Sequence, residues 1–566
     1  MDIKNLLSRL FNNTPSNISS TDYQTFLDGY HITHGIVLLT FKRSGFFVML
    51  PENFSVDEHV VRFLPESYGF TTRLGKFDKN KVYYLLGLLS SIPSRNKDLI
   101  VDDGYIPINA EILNSFMTDY NSYLRYLRDT GIIEWKDDGG YFEGKSRRYR
   151  WTEQYITSKF VRVEMPKFSM LSEQKKRVTV EEFLKHDSER NKALIKYQYL
   201  TYWYNQNKLK FDVEKAENYA LLLRDYKLAK GVESWDWNKD KDRYKHPSNQ
   251  YAAILENLHS ISFCNDYKVL IDKHVHRFHS VLTNMQKEFR NFLTYDGQQL
   301  VSIDIKNSQP YLSCVLFNSE FWSENSTLNL NLNQLPQNII ASIRFTPPKE
   351  TATPITTALS SFFKGLEGHE FDTYKNIVSS GNMYETIMGW IQEERGQIIS
   401  RNDAKTTMFR LFFSPNKENR EDENHWLMTY YKNKFPQVAA LFKIIKKQYQ
   451  GSDEDKQHGR LACLLQSIES EIILHRCCKR IWDEKNHQVP VFTIHDSIST
   501  TIEHKNYVKN VMQEELTRAI GLPPRLSEEV WKEEALELQL DAIRHYLEVS
   551  NHLQHDSHIL QNNAPV

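Results

Sequence analysis

Two short β-like runs that each lead into an aspartate constrain this chain more than any other feature. In Leu300-VSIDIKNSQPYL, Val301, Ile303 and Ile305 alternate with Ser302, Asp304 and Lys306. A period of two puts the apolar residues on one face of a strand and Asp304 on the other, at the strand's end before a turn or helix. In Val489-PVFTIHDSISTTIEH, the runs PVFTI and ISTTI flank His495-Asp496-Ser497. That predicts a hairpin with an acid at its tip. Taken singly, a turn or cap aspartate is the commoner reading of each.

Between them lies Ser400-RNDAKTTMFRLFFSP. Ser400 and Asp403 suit the cap of a helix that Pro415 stops. Arg401, Lys405 and Phe409 fall at i, i+4 and i+8 along one slowly drifting face, which Phe413 continues. Two cations followed by aromatics suit a nucleoside triphosphate: the cations meet phosphates and a ring packs on the base or sugar. In isolation, a basic amphipathic helix with its phenylalanines in the core is the simpler reading. Taken together, two aspartates on adjacent strands can clamp two Mg²⁺ ions about 3.5–4 Å apart, as in-line phosphoryl transfer requires, with Mn²⁺ as a substitute. Held there, such ions would lower the pKa of an attacking 3′-hydroxyl and stabilise leaving pyrophosphate.

At 566 residues the chain is long enough for three or four units of roughly 150 residues. Lys and Arg number 71 against 72 Asp and Glu, which excludes a uniformly basic coat and a polyanionic solvating chain but not a local basic channel. Aromatic residues at 13% argue against disorder. The five cysteines are scattered with no CxxC pair, so reduced thiols and a cytoplasmic setting are expected, without a disulfide framework or a zinc site. The first residues lack the apolar core of a signal peptide, and no run of ~18 apolar residues suggests a membrane partner.

Along the chain, residues 1–75 are expected to form a small β-containing region, with a run from His34 to Pro51 turning near Gly45. Residues 76–155 read as three helices and a hairpin, hence a winged helix-turn-helix. Asn109 suits the cap of the second helix and Gly131 the stop of the third. The wing holds Lys145, Arg147, Arg148 and Arg150 interleaved with Tyr149 and Trp151, a strip suited to phosphate contact and stacking on nucleic acid. The alternative is a solvated hairpin that contacts another domain. Residues 156–270 read as helical, with Asp212-Val213-Glu214 on a solvated helix face rather than in an exonuclease site. Residues 325–360 read as a long polar excursion, and 549–566 as a flexible tail.

In order and type, these segments resemble the family A DNA polymerases and the related single-subunit phage-type RNA polymerases. Asp304 lies in what looks like motif A, Arg401 to Phe413 in motif B, and His495-Asp496-Ser497 in motif C. Arg277-FHSVLTNMQKEFR is similar to the stretch that approaches the primer-template minor groove, and Leu465-Gln466-SIESEII to the helix before motif C. The resemblance spans about residues 270–520. It implies an α+β right-hand polymerase preceded by the winged helix-turn-helix. The thumb-like region would be 156–270, the palm 271–325 and 441–548, and the fingers 326–440. Asp304 and Asp496 would be the metal carboxylates. Lys405 would bind the triphosphate and protonate pyrophosphate, Arg401 would hold the γ-phosphate, and Phe409 and Phe413 would pack around the nascent pair. Arg277, Gln466 and His495 would contact primer and template.

The departures concern the sugar. Gln309 stands where the DNA enzymes carry a glutamate that excludes a 2′-hydroxyl. Phe413 replaces the tyrosine of the RNA enzymes, and Ser497 follows their pattern. The balance leans to deoxyribose, so a template-directed DNA polymerase acting on a DNA primer-template (RNA template possible) is the leading expectation. A single-subunit RNA polymerase or primer-synthesising enzyme is the runner-up. A non-catalytic DNA-binding replication or regulatory protein with a degenerate palm is the alternative of another class.

Overall fold

A computed structural model describes residues 32–33, 36–39, 47–70, 77–136, 146–165, 176–179, 196–238, 240–264, 269–345, 353–365, 369–416, 425–447 and 459–562. Lys145 and the tip of the hairpin that carries it lie outside these, as do residues 1–31, the turn near Gly45 and residues 563–566. The fold is mixed α+β, mostly helical, around one six-stranded sheet.

The N-terminal part follows local sequence closely. Helix Lys79–Arg95 is capped by the Asp78 side chain. Strand Ile106–Pro107 precedes helix Ala110–Phe116, whose first amides are met by Asn109. Helix Tyr120–Asp129 ends before Gly131, where a φ of 76° suits glycine. Strands Ile133–Lys136 and Arg148–Trp151 then pair, with Ile106–Pro107 on the far side of Arg148–Trp151. The two strands of the expected His34–Pro51 run do not pair with each other. Ile36–Leu39 pairs with Lys176–Thr179, and Phe47–Pro51 pairs with Phe160–Glu164. The second pair packs on Lys79–Arg95 at Gly87, where an added Cβ would meet Val48 Cγ1 at 2.5 Å.

The sheet that positions the site is antiparallel throughout. Its strands are β1 (Leu209–Phe211), β2 (Leu293–Tyr295), β3 (Gln298–Ile305), β4 (Phe492–Ile494), β5 (Ser497–Thr501) and β6 (Leu526–Val530). The order is β4-β5-β3-β2-β1, with β6 also pairing β3. Two of these strands depart from expectation. Leu209–Phe211 buries its two apolar residues and exposes Lys210, a strand period too short to outweigh the helical pattern that follows it. Asp212 then caps helix Val213–Lys230. Leu526–Val530 reads LSEEV, with two glutamates that obscure a strand.

Against the sheet lie α1 (Ser308–Ser313), α4 (Arg460–Ser470) and α5 (Lys505–Ile520). Between α1 and α4 in sequence come α2 (Met383–Arg395) and α3 (Arg401–Phe413). Helix α4 continues through a π-helical stretch, Glu471–Cys478, into helix Lys479–Glu484, a rare geometry enriched near functional sites. The polar excursion contains helix Gln337–Ile343, which buries Ile339, Ile340 and Ile343. The expected flexible tail continues helix Glu537–Asn562. No helix among the described residues is long and apolar enough to cross a membrane.

Candidate active site

The register of the sheet brings the two aspartates together. On β3, Asp304 stands opposite Ser497 of β5 and Ser527 of β6. Asp496 immediately precedes Ser497, in the two-residue turn between β4 and β5. His495 makes that turn possible with a left-handed φ of 55°. On the other side, Asn307 turns β3 into α1, also left-handed, at φ 54°. Two tight corners therefore bracket the pair.

Electrostatics identify this as a loaded site. Burial, then Asp496, then Glu529 raise the Asp304 carboxyl to about 7, while Lys287 and Lys405 oppose. Burial also raises Asp496, against a hydrogen bond from Ser308 and the charges of Arg277 and Lys405. Two carboxyls that hinder each other's ionisation are the usual result of sharing one site. His495 is lowered to about 4 by burial and by Arg277, His279, Arg290 and Lys97, so it is neutral at pH 7.

Beneath the pair lies a residue that sequence reasoning did not single out. Glu469 on α4 is 1% exposed and accepts two hydrogen bonds from Arg277, Nε at 2.9 Å and Nη2 at 2.8 Å. Burial pushes its carboxyl up to about 8, Asp496 and Asp304 add to the rise, and Arg277 opposes. Gln309 Nε2 also donates to Glu469, at 2.9 Å. Gln309 is thus buried and tethered, and its Oε1 meets no partner; neither amide atom of buried Asn307 does either. Gln466, three residues before Glu469, is half-buried on α4.

Helix α3 forms as its sequence predicts. Ser400 and Asp403 make a reciprocal capping box, and the helix ends at Phe413. Ala404, Thr407, Met408, Leu411 and Phe412 are buried. Arg401 and Lys405 are exposed, and Phe409 and Phe413 are half-buried, so the cation–aromatic row lies away from the core. The Phe409 and Phe413 rings stack at 5.6 Å, and Lys405 Nζ lies 5.5 Å from the Phe409 centroid. Arg401 pairs with Glu385 at 2.7 Å and lies over Tyr384. At the far end, buried Lys446 donates to the carbonyls of Leu411 and Ser414 and so satisfies the helix terminus.

The basic hairpin is arranged differently from its expected role. Strand alternation sends Tyr149 and Trp151 into the core, each 4% exposed, so they are not available for stacking on nucleic acid. Arg148 pairs with Asp103 at 3.2 Å and Arg150 with Glu134 at 3.0 Å. Arg147 lies 4.8 Å from the Trp135 ring.

Comparison with known protein families finds no match, and neither does comparison with characterised proteins. Among solved structures, the chain is similar to the POL domain of Pol1 from M. smegmatis in complex with DNA primer-template and dNTP. The likeness covers 62% of this chain and 72% of that one, at 13% identity and a TM-score of 0.29. A TM-score that low specifies neither fold nor activity.

Proposed function

We propose that this chain is a template-directed DNA polymerase that adds deoxynucleotides to a nucleic-acid 3′ end by two-metal phosphoryl transfer. One observation carries the reading: the β3–β5 register sets Asp304 beside Asp496, both raised in pKa and both within electrostatic reach of Lys405.

Two hard carboxylate donors at mutual repulsion suit Mg²⁺, which is usually held by one or two carboxylates plus substrate phosphates. No group of three or more His, Cys, Asp or Glu able to hold a metal occurs among the described residues. Asp304 and Asp496 would hold the ions, which when bound would activate the 3′-hydroxyl and stabilise the pyrophosphate.

The chain's own residues do the rest. Lys405 neutralises the triphosphate and supplies a proton to the leaving group. Arg401 takes the γ-phosphate by leaving Glu385, an exposed pair that costs little to break. The stacked Phe409 and Phe413 form a plate for the nascent base pair. Neutral His495 meets the primer terminus, with Arg277 and Gln466 toward primer and template. The order helix, strand, helix, helix, strand, strand over 79–151 supports reading this region as a winged helix-turn-helix. Its Arg147, Arg148 and Arg150, with Lys145, would grip the DNA backbone.

A single-subunit RNA polymerase or primer-synthesising enzyme is the second reading, and one observation favours it. The unpaired Oε1 of Gln309 is an acceptor suited to a ribose 2′-hydroxyl. Primer extension with labelled dNTPs or NTPs and Mg²⁺ or Mn²⁺ separates the two. The proposal expects dNTP incorporation that Asp304→Asn abolishes while DNA binding persists. Incorporation of neither class on any template overturns it.

A further inference from the structure

The N-terminal helical part meets the sheet-bearing part across a cavity of about 320 Å³. Its lining does not include the carboxylate pair, although Lys97 in that lining acts electrostatically on His495. Three stretches line it: 93–100 at the end of helix Lys79–Arg95, 236–258 along helix Pro247–Cys264 and the strand before it, and 281–289. That volume is within the range of small-ligand sites.

Its chemistry is selective. The rim carries Trp237, an indole 47% exposed to solvent, with Tyr244 edge-on to it at 4.8 Å. Arg95 and Lys97 are exposed cations at the same mouth. The wall is mixed, with Met285 and Phe289 apolar and Asn257, Asn284 and Gln286 polar. Inside, Gln250 is 8% exposed. Its Nε2 donates to Asp236 Oδ2 at 2.7 Å. A carboxylate only accepts, so the amide nitrogen must face Asp236 and Oε1 must face away. That Oε1 meets no partner, and a buried acceptor left unpaired costs free energy. Asp236 itself is neutralised by Lys227 at 2.8 Å, and Lys245 by Asp98 at 3.2 Å. The uncommitted charge at the mouth is therefore positive.

We infer that this cavity is a second nucleotide site, which takes an unpaired nucleobase with its phosphate held at the mouth. The exposed indole offers a stacking face. Gln250 Oε1 demands an N–H donor, which every base presents on its Watson–Crick edge only when that edge is free. Arg95 and Lys97 meet phosphate. A base-paired nucleotide is excluded because its edge is already committed. The ligand is thus either a free mononucleotide or an unpaired nucleotide within a bound strand.

The inference goes beyond the polymerase proposal and has its own readout. The probes are dAMP and a primer-template whose single-stranded 5′ overhang carries 5-iododeoxyuridine, each applied to the full chain. Ultraviolet crosslinks from an overhang position should map to Trp237, Met285 or Phe289. Trp237→Ala, a change at the surface, should weaken binding of the tailed primer-template about 5- to 100-fold, the range for loss of one base stack. It should leave blunt-duplex binding within about twofold, and Gln250→Leu should act in the same direction. If dAMP displaces the crosslink, and does so less well in Trp237→Ala, the source is a free nucleotide; if it does not, the source is the strand. Absence of crosslinks in the cavity, with both variants unchanged toward both probes, overturns the inference. Asp304→Asn should stop extension and keep the crosslinks. In the unsubstituted chain, extension without crosslinks therefore sinks the pocket alone, and crosslinks without extension on any template sink the polymerase reading alone.

Discussion

The two cationic–acidic regions of this molecule are built on opposite principles. In the basic hairpin, each described strand arginine has met an acid: Arg148 with Asp103, Arg150 with Glu134. At the β3–β5 corner, acids are set against acids, and Asp304 and Asp496 stay hard to ionise. Matched charges on a surface contribute little and are readily replaced. Mismatched charges under burial cost stability and persist where a ligand resolves them. The corner is therefore where chemistry is expected, and the hairpin is a scaffold with modest grip.

The largest expected effect breaks the corner. Arg277→Met leaves the buried Glu469 carboxyl without the two hydrogen bonds that Arg277 donates, and a buried polar group left unpaired costs about 1–3 kcal/mol. Chemical denaturation should show it, with Glu469→Gln milder because the Gln309 contact can be kept. Lys405→Met should lower kcat/KM for nucleotide addition by about 10²-fold or more, each 1.36 kcal/mol of lost transition-state stabilisation being tenfold. Steady-state extension at saturating template checks it.

A third effect has a defined sign in pH. The Asp304 carboxyl is raised to about 7 by burial, Asp496 and Glu529, above its unfolded value near 4. The fold thus binds a proton that the unfolded chain has released, and this group's contribution falls as pH rises from about 4 to 7. Asp304→Asn should flatten that slope and melt higher at pH 8 without metal, by about 1 °C per kcal/mol of repulsion removed for a chain of 566 residues. A melting temperature that drops on this substitution at pH 8 contradicts the like-charge account. The smallest effect belongs to the hairpin. Arg148→Ala should reduce the salt slope of DNA binding by at most about one.

The same contrast explains what the sequence disclosed. The β3 strand, the His495-Asp496 turn and helix α3 rest on local rules: alternation, a two-residue turn and a capping box. Strand alternation in the hairpin sends Tyr149 and Trp151 inward, although their spacing among arginines suggests stacking. Glu469 escaped notice because its partner, Arg277, is 192 residues away, and a buried glutamate in SIESEII looks like a solvated one. Leu209–Phe211 escaped because three residues are too few to establish a period.

A double-substitution cycle tests the central claim most directly. Extension of a labelled DNA primer would be measured with the wild type, Asp304→Asn, Asp496→Asn and both together. If the two carboxylates act as one site, each single change abolishes most extension, by roughly 10³-fold, and the pair loses little more, as residues that act as a unit do. Substantial extension by Asp496→Asn, or losses that simply multiply, would contradict the account.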